Sequence, residues 1–347
     1  MTRLLLLPAL FATLALPSAG LAIDRVIKTD GSETAGEVTE VDRDTVTVKS
    51  RTSGEQTVPT NEIDYIDFDA APPSLGAGRA ALQAGNIERA IEAFEKAKAE
   101  SPDNRDIKGE IDYLQASTAI AQADGDEATL GAAIDQLQAF TDSATKHYRY
   151  YPALLELAAA KADAKRFTEA KLTFKNAATA PYADIKLAAE VGQGNAALAD
   201  GKSGEASGLF DGVIAAGGGS PAEQSQVLAA KLGKAKVSIA NQNYDEAIAT
   251  LDDVIRETGI DDTRTQAEAY LRQGDAYAAK GNAAKNAILA YLHVDVVPAL
   301  AREGKLHAEA LYRLKELWPT VAKPTRAAES AARLQQLYPN SEWAGKL

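Results

Sequence analysis

Apolar and polar residues alternate with period two from Arg25 to Phe68, and from Leu75 onward apolar positions return every three to four residues. The first regime predicts strands at Arg25–Thr29, Thr34–Val41, Thr45–Lys49, Gln56–Pro59 and Ile63–Phe68. The clearest is Thr45-Val46-Thr47-Val48-Lys49, strictly alternating and β-branched. Asp30-Gly31, Asp42-Arg43-Asp44 and the Gly54 region supply turn chemistry between the runs. Five short strands within residues 23–69 bury little surface unless the sheet curls on itself. Residues 70–74, Ala-Ala-Pro-Pro-Ser, then read as a Pro-rich linker, because paired prolines neither continue a helix nor sit centrally in a sheet.

The helical regime repeats. Its first unit carries Gly78-x-x-Ala81, Gly85-Asn86-Ile87-Glu88-Arg89-Ala90, Phe94, Ala97 and Pro102. Small residues let paired helices cross closely, Gly85 can end a helix in a left-handed conformation, and Phe94 fills the space between neighbours. Similar units contain Ala158, Ala170, Phe174 and Pro181; Gly194, Ala206 and Phe210; Gly233, Ala247 and Leu251; and Gly274, Ala287 and Tyr291. Alanines 170, 206, 247 and 287 are spaced 36, 41 and 40 apart. Residues 105 to 144 and the last stretch, about 305 to 340, are helical in pattern but degenerate.

This unit resembles the tetratricopeptide repeat. The resemblance implies a mainly α protein: a right-handed α-solenoid of about seven helix pairs over residues 75–347, following a small β-barrel-like domain. In that family the first helix of each pair lines a concave groove that holds a peptide or partner helix. Carried over by motif position, the groove residues are Arg79, Gln83, Asp163, Asn195, Lys234 and Asp275. The Lys-Asn carboxylate clamp of some members is missing, since Leu75 and Arg79 stand in its place. The N-terminal segment, with its DG turn, Thr-Val-Thr-Val strand and terminal Ile-x-x-Ile strand, resembles SH3-like or Sm-like barrels. Such modules bind peptides, RNA or other subunits; Asp64, Asp67 and Asp69 argue against RNA. The alternative is a module that only caps or positions the solenoid.

Catalytic and metal chemistry find no footing. Gly201-Lys202-Ser203 imitates the end of a phosphate loop, but Ala196 stands where its first glycine belongs. His147, His293 and His307 have no companions at metal-ligand spacing, and Asp124-Gly125-Asp126-Glu127 is too short for a calcium loop. The cluster Lys146-His147-Tyr148-Arg149-Tyr150-Tyr151 reads either as a ligand-facing patch or as inter-repeat packing. We therefore expect no catalytic residues, no metal, no cofactor and no enzyme activity.

Composition sharpens the compartment and the partner. The net charge of −12 opposes nucleic acid and anionic lipid. Arg3, the apolar run Leu4–Leu16 and Gly20-Leu21-Ala22 read as a cleavable signal peptide over residues 1–22, too short to anchor in a membrane. Cysteine is absent, so no lipid can attach through one. The ending Tyr338-Pro339-Asn340-Ser341-x-x-Ala344 resembles repeats of bacterial envelope proteins. Together these predict an exported, periplasmic or secreted scaffold that binds a protein or peptide. Peptidoglycan binding through Tyr148, Tyr150 and Tyr151, or an accessory role for envelope enzymes, is the alternative.

Overall fold

The computed structural model describes residues 23–123 and 126–347; residues 1–22, read above as a signal peptide, lie outside them. Five strands open the described residues: β1 (Asp24–Lys28), β2 (Glu33–Val41), β3 (Thr45–Ser50), β4 (Gly54–Pro59) and β5 (Ile63–Asp67). They form one antiparallel sheet in the order β4-β3-β2-β1-β5, so the last strand returns beside the first. Gly31 and Gly54 take positive φ, 80° and 74°, in the two tight turns. Register shifts in β2 at Val38/Glu40 and in the β1–β5 ladder at Ile27/Lys28 mark bulges, which bend a sheet and increase its twist. Bending lets a small sheet enclose Val26, Val46, Val48, Val58 and Ile66.

Among the described residues fourteen helices follow in seven pairs: α1 (Pro73–Gln83) with α2 (Ile87–Glu100), α3 (Arg105–Ala123) with α4 (Glu127–Ser143), α5 (Tyr150–Asp163) with α6 (Phe167–Ala177), and α7 (Ala183–Ala199) with α8 (Ser203–Ala216). Then come α9 (Pro221–Ala240) with α10 (Tyr244–Glu257), α11 (Thr263–Lys280) with α12 (Ala284–Val296), and α13 (Gly304–Leu317) with α14 (Pro324–Leu337). The paired prolines start a helix: Pro72 is the N-cap of α1 and Pro73 its first residue, where a missing N–H is not needed.

Glycines and aromatic rings lock the stack. A Cβ on Gly78 would lie 2.3 Å from the Phe94 ring, and one on Gly274 would lie 2.4 Å from Tyr291. Phe210 is held on two sides, by Gly194 of its own pair and by Gly233 of the next. Phe174 likewise meets Gly192 of the following pair. Within five of the pairs the turn has one form. Gly85, Lys165, Gly201, Gln242 and Ala322 have positive φ. The next residue's N–H returns to a carbonyl five residues back, as in Asn86 to Ala81 and Lys202 to Ala197.

Curvature follows from the contacts. Successive first helices touch one another from α3 through α13, while successive second helices make no comparable contact among the described residues. The first helices therefore occupy the shorter, inner arc, and their exposed sides form the concave face.

Candidate binding groove

The β sheet is seated on this inner arc. Its core is continuous with the first two pairs: Val26, Ile66 and Phe68 share one cluster with Leu75, Phe94, Ile107, Ile111 and Tyr148. Polar contacts then run along the first helices. The Ile66 N–H donates to the Tyr148 hydroxyl (3.3 Å), and Arg79 Nη2 donates to the Ile66 carbonyl (3.2 Å). These two side chains replace the strand that the edge of β5 would otherwise need. Farther along, Tyr151 donates to the Asp44 carboxylate (3.0 Å) and Tyr182 donates to the Asp44 carbonyl. Asn61, in a 3₁₀ turn before β5, donates to Asp184 of α7 (3.1 Å).

Beneath the seat lies Glu110 of α3, with no exposed surface. Its two oxygens accept from Arg79 Nη2 (2.9 Å), Arg149 Nη2 (3.0 Å), Arg149 Nε (3.0 Å) and the Tyr148 hydroxyl (2.5 Å). Burial alone raises this carboxyl; Arg149 and Arg79 outweigh it and hold Glu110 well below the usual carboxylate range. Burial lowers the Arg149 guanidinium, but Glu110 beside it more than restores it. Burial and the same carboxylate push the Tyr148 hydroxyl far up, so it stays a donor. His147, next in chain, is buried against Gly109 and the Phe140 ring. Its Nδ1 takes the Arg149 N–H (3.2 Å), which leaves Nε2 to donate to the Asp106 carbonyl (3.1 Å). Burial pushes the ring's proton affinity down.

Of the residues expected in the groove, Arg79 sits in this cluster and Gln83 lies exposed nearby; both border a cleft of about 430 Å³ between β5, α1 and α3. Asp163 and Asn195 are exposed on α5 and α7. Although its side chain reaches solvent, partial desolvation raises the Asp163 carboxyl, while Lys305 and Arg264 at the starts of α13 and α11 lower it. Lys234 is engaged by Asp211 (2.7 Å) and Ser207 (2.7 Å) of α8. Asp275 accepts from Tyr291 (2.7 Å) and pairs with Arg272. The structure thus leaves Gln83, Asp163 and Asn195 turned to solvent, and it commits Arg79, Lys234 and Asp275 to internal bonds. The aromatic and basic cluster packs inward: Tyr148 and Tyr151 are 1% and 2% exposed. The Lys236–Glu268 and Arg272–Glu309 pairs link α9, α11 and α13 along the inner arc.

Among the described residues no group of His, Cys, Asp and Glu could hold a metal, and no helix is long and apolar enough to cross a membrane.

Residues 74–105, 191–261 and 232–295 match the tetratricopeptide repeat family model. A tetratricopeptide repeat protein from Parabacteroides merdae is similar in structure, with a TM-score of 0.53 and 16% identity over 79% of this chain and 95% of that one. Weaker likenesses include pilF of Pseudomonas aeruginosa (TM-score 0.40, 16% identity, 79% and 94% of the two chains). Another is a Rap protein complexed with Competence and Sporulation Factor (TM-score 0.48, 15% identity, 79% and 76%). No curated protein matches the chain. The stretch from 106 to 190, which the repeat model passes over, supplies Glu110, Tyr148, Arg149, Tyr151, Tyr182 and Asp184 to the seat of the sheet.

Proposed function

We propose that the protein is a non-catalytic, exported scaffold that holds a protein partner on the concave face of its solenoid. The observation that carries this reading is the division of that face. The sheet covers the early first helices through Tyr148, Tyr151, Tyr182 and Asp184, while Asp163 and Asn195 leave α5 and α7 exposed beyond it. A long concave surface with mixed charges and small residues such as Ala159 and Ala199 suits an extended or helical polypeptide. The sheet serves first as a fixed cap on the solenoid. Export rests on the sequence of residues 1–22. Wall binding through tyrosines has less support, because Tyr148 and Tyr151 are buried and offer no face to a sugar.

The test is capture of partners from a bacterial envelope extract by the wild-type chain and by Asp163→Lys and Asn195→Arg. Specific capture by wild type, lost in both variants, supports the reading. Equal capture by all three sinks it. Co-sedimentation with purified peptidoglycan, unaffected by the two variants, would favour the wall-binding alternative.

A further inference from the structure

The cleft between β5, α1 and α3 contains two guanidinium groups and a single deep carboxylate. The Arg79 and Arg149 side chains are only 14% and 13% exposed, and Glu110 is fully covered. Arg79 spends Nη2 on Ile66 and Glu110; Arg149 spends Nε and Nη2 on Glu110. Among the described residues, Nη1 of neither arginine has a hydrogen bond, and Arg79 Nε is buried without one. A buried donor lacking an acceptor is costly, and Arg79 Nε is such a donor on a side chain that lines the cleft beside Arg149. The floor carries one net positive charge. On the rim, Asp67 is taken up by Arg25. Behind the cleft, Glu156 is engaged by Ser117 (2.7 Å). The Tyr65 ring lies 4.7 Å from the Arg79 guanidinium and the Tyr113 ring 5.1 Å from that of Arg149, so the walls are aromatic.

We infer that this cleft receives one carboxylate side chain of an extended partner segment, with apolar neighbours resting on Leu82 and Leu114. The inference rests on the scaffold reading above and adds a place and a chemistry to it. A single negative charge matches the single excess positive charge of the floor; Asp64, exposed on the lining, opposes any anion and opposes a more highly charged phosphate more strongly than a carboxylate. The volume of about 430 Å³ admits one or two side chains and not a folded element. Tyr65 belongs to the sheet and Arg79 to the solenoid, so a segment bound here also bridges the two and stabilises the docked arrangement.

Three labelled pentapeptides test this on the full chain by fluorescence anisotropy: acetyl-Gly-Leu-Glu-Leu-Gly-amide, its Gln counterpart as amide, and the Gln counterpart with a free terminal carboxylate. The Glu peptide binds at least tenfold more tightly than either other peptide, and added salt weakens it. Arg79 and Arg149 are too deeply built in to substitute safely. The informative variants sit on the cleft wall: Gly76→Leu, where a Cβ meets nothing within 4 Å, and Gln83→Glu. The first lowers affinity tenfold or more and the second several-fold, while Gln83→Lys raises it, with no melting temperature lowered. Equal affinity for the Glu and Gln amides, a preference for the free terminus, no binding, or indifference to Gly76→Leu overturns the inference. The scaffold reading is decided separately, by Asp163→Lys and Asn195→Arg, which lie outside the cleft.

Discussion

The two halves of the solenoid hold themselves together in different ways. From α8 to α14, among the described residues, the helices answer only to one another: Phe210 is gripped by Gly194 and Gly233, Tyr291 lies on Gly274 and donates to Asp275, Arg272 joins Asp275 to Glu309, and Leu251 and Val254 fill the space between. From α1 to α6 shape is supplemented by a buried polar junction at Glu110 that answers to the β sheet as much as to the helices. A repeat that binds only its neighbours keeps the repeat pattern. The degenerate second pair, which lies in the unmatched stretch from 106 to 190, is the one that carries Glu110 at the centre of the ion cluster.

The strongest way to break this comparison is Glu110→Ala. It strands two buried guanidinium groups, and loss of one member of a buried ion cluster costs about 3–5 kcal/mol. We expect hydrogen exchange to accelerate in β1–β5 and α1–α5 and to change little beyond α9. Uniform acceleration along the chain would show that the two halves do not differ in this way. The counterpart is Gly233→Ala. Its Cβ would fall 2.4 Å from Phe210, and the ring cannot retreat because Gly194 closes the other side. Overpacking of this kind costs about 1–3 kcal/mol, read as a lower urea midpoint, with the loss of protection centred on α7–α10.

Acid sharpens the contrast. The folded His147 ring resists a proton relative to its ordinary value of 6.5. Above that pH neither state carries the proton; as pH falls below it, the unfolded chain takes up a proton that the folded chain refuses, and stability declines. Glu110, held below its ordinary 4.5, adds a second loss as pH falls below that value. Glu156 acts oppositely, since burial raises its carboxyl. The contribution of His147 is isolated by comparing urea midpoints of wild type and His147→Asn between pH 7.5 and 5. The wild type should lose more. Parallel curves would remove His147 from the account.

The sequence made the solenoid legible because its grammar is local: Gly78 with Phe94, Gly194 with Phe210 and Gly274 with Tyr291 lie within one helix pair. The strands were legible through their alternation. The seat of the sheet was not. Tyr148, Tyr151 and Tyr182 look like ordinary packing aromatics, and Glu110 looks like a surface residue on an amphipathic helix. Their partners Ile66 and Asp44 are 82 to 138 residues away. One signal was available: the degenerate second pair adjoins the most aromatic and basic hexamer of the chain, a sign that something besides repeat stacking shapes that region. Three groove residues read by motif position, Arg79, Lys234 and Asp275, bond internally, because motif position places a residue on a helix without showing what the next helix offers it.

The smallest expected effect tests whether the turns, unlike the helix faces, are equivalent in both halves. Lys165 and Gln242 occupy the left-handed position that Gly85 and Gly201 occupy elsewhere, with φ of 59° and 64°. A side chain there crowds its own carbonyl, by about 1 kcal/mol, and glycine removes that strain while adding freedom to the unfolded chain. Lys165→Gly and Gln242→Gly should therefore each stabilise by about 0.5 kcal/mol, and Gly85→Ala and Gly201→Ala should each destabilise by about 1 kcal/mol. Both glycine gains should be equal within error, since the turn geometry and its two closing hydrogen bonds are the same in α5–α6 and α9–α10. A gain at Gln242 with a loss at Lys165 would mean that the sheet's influence reaches the turns of the first half as well.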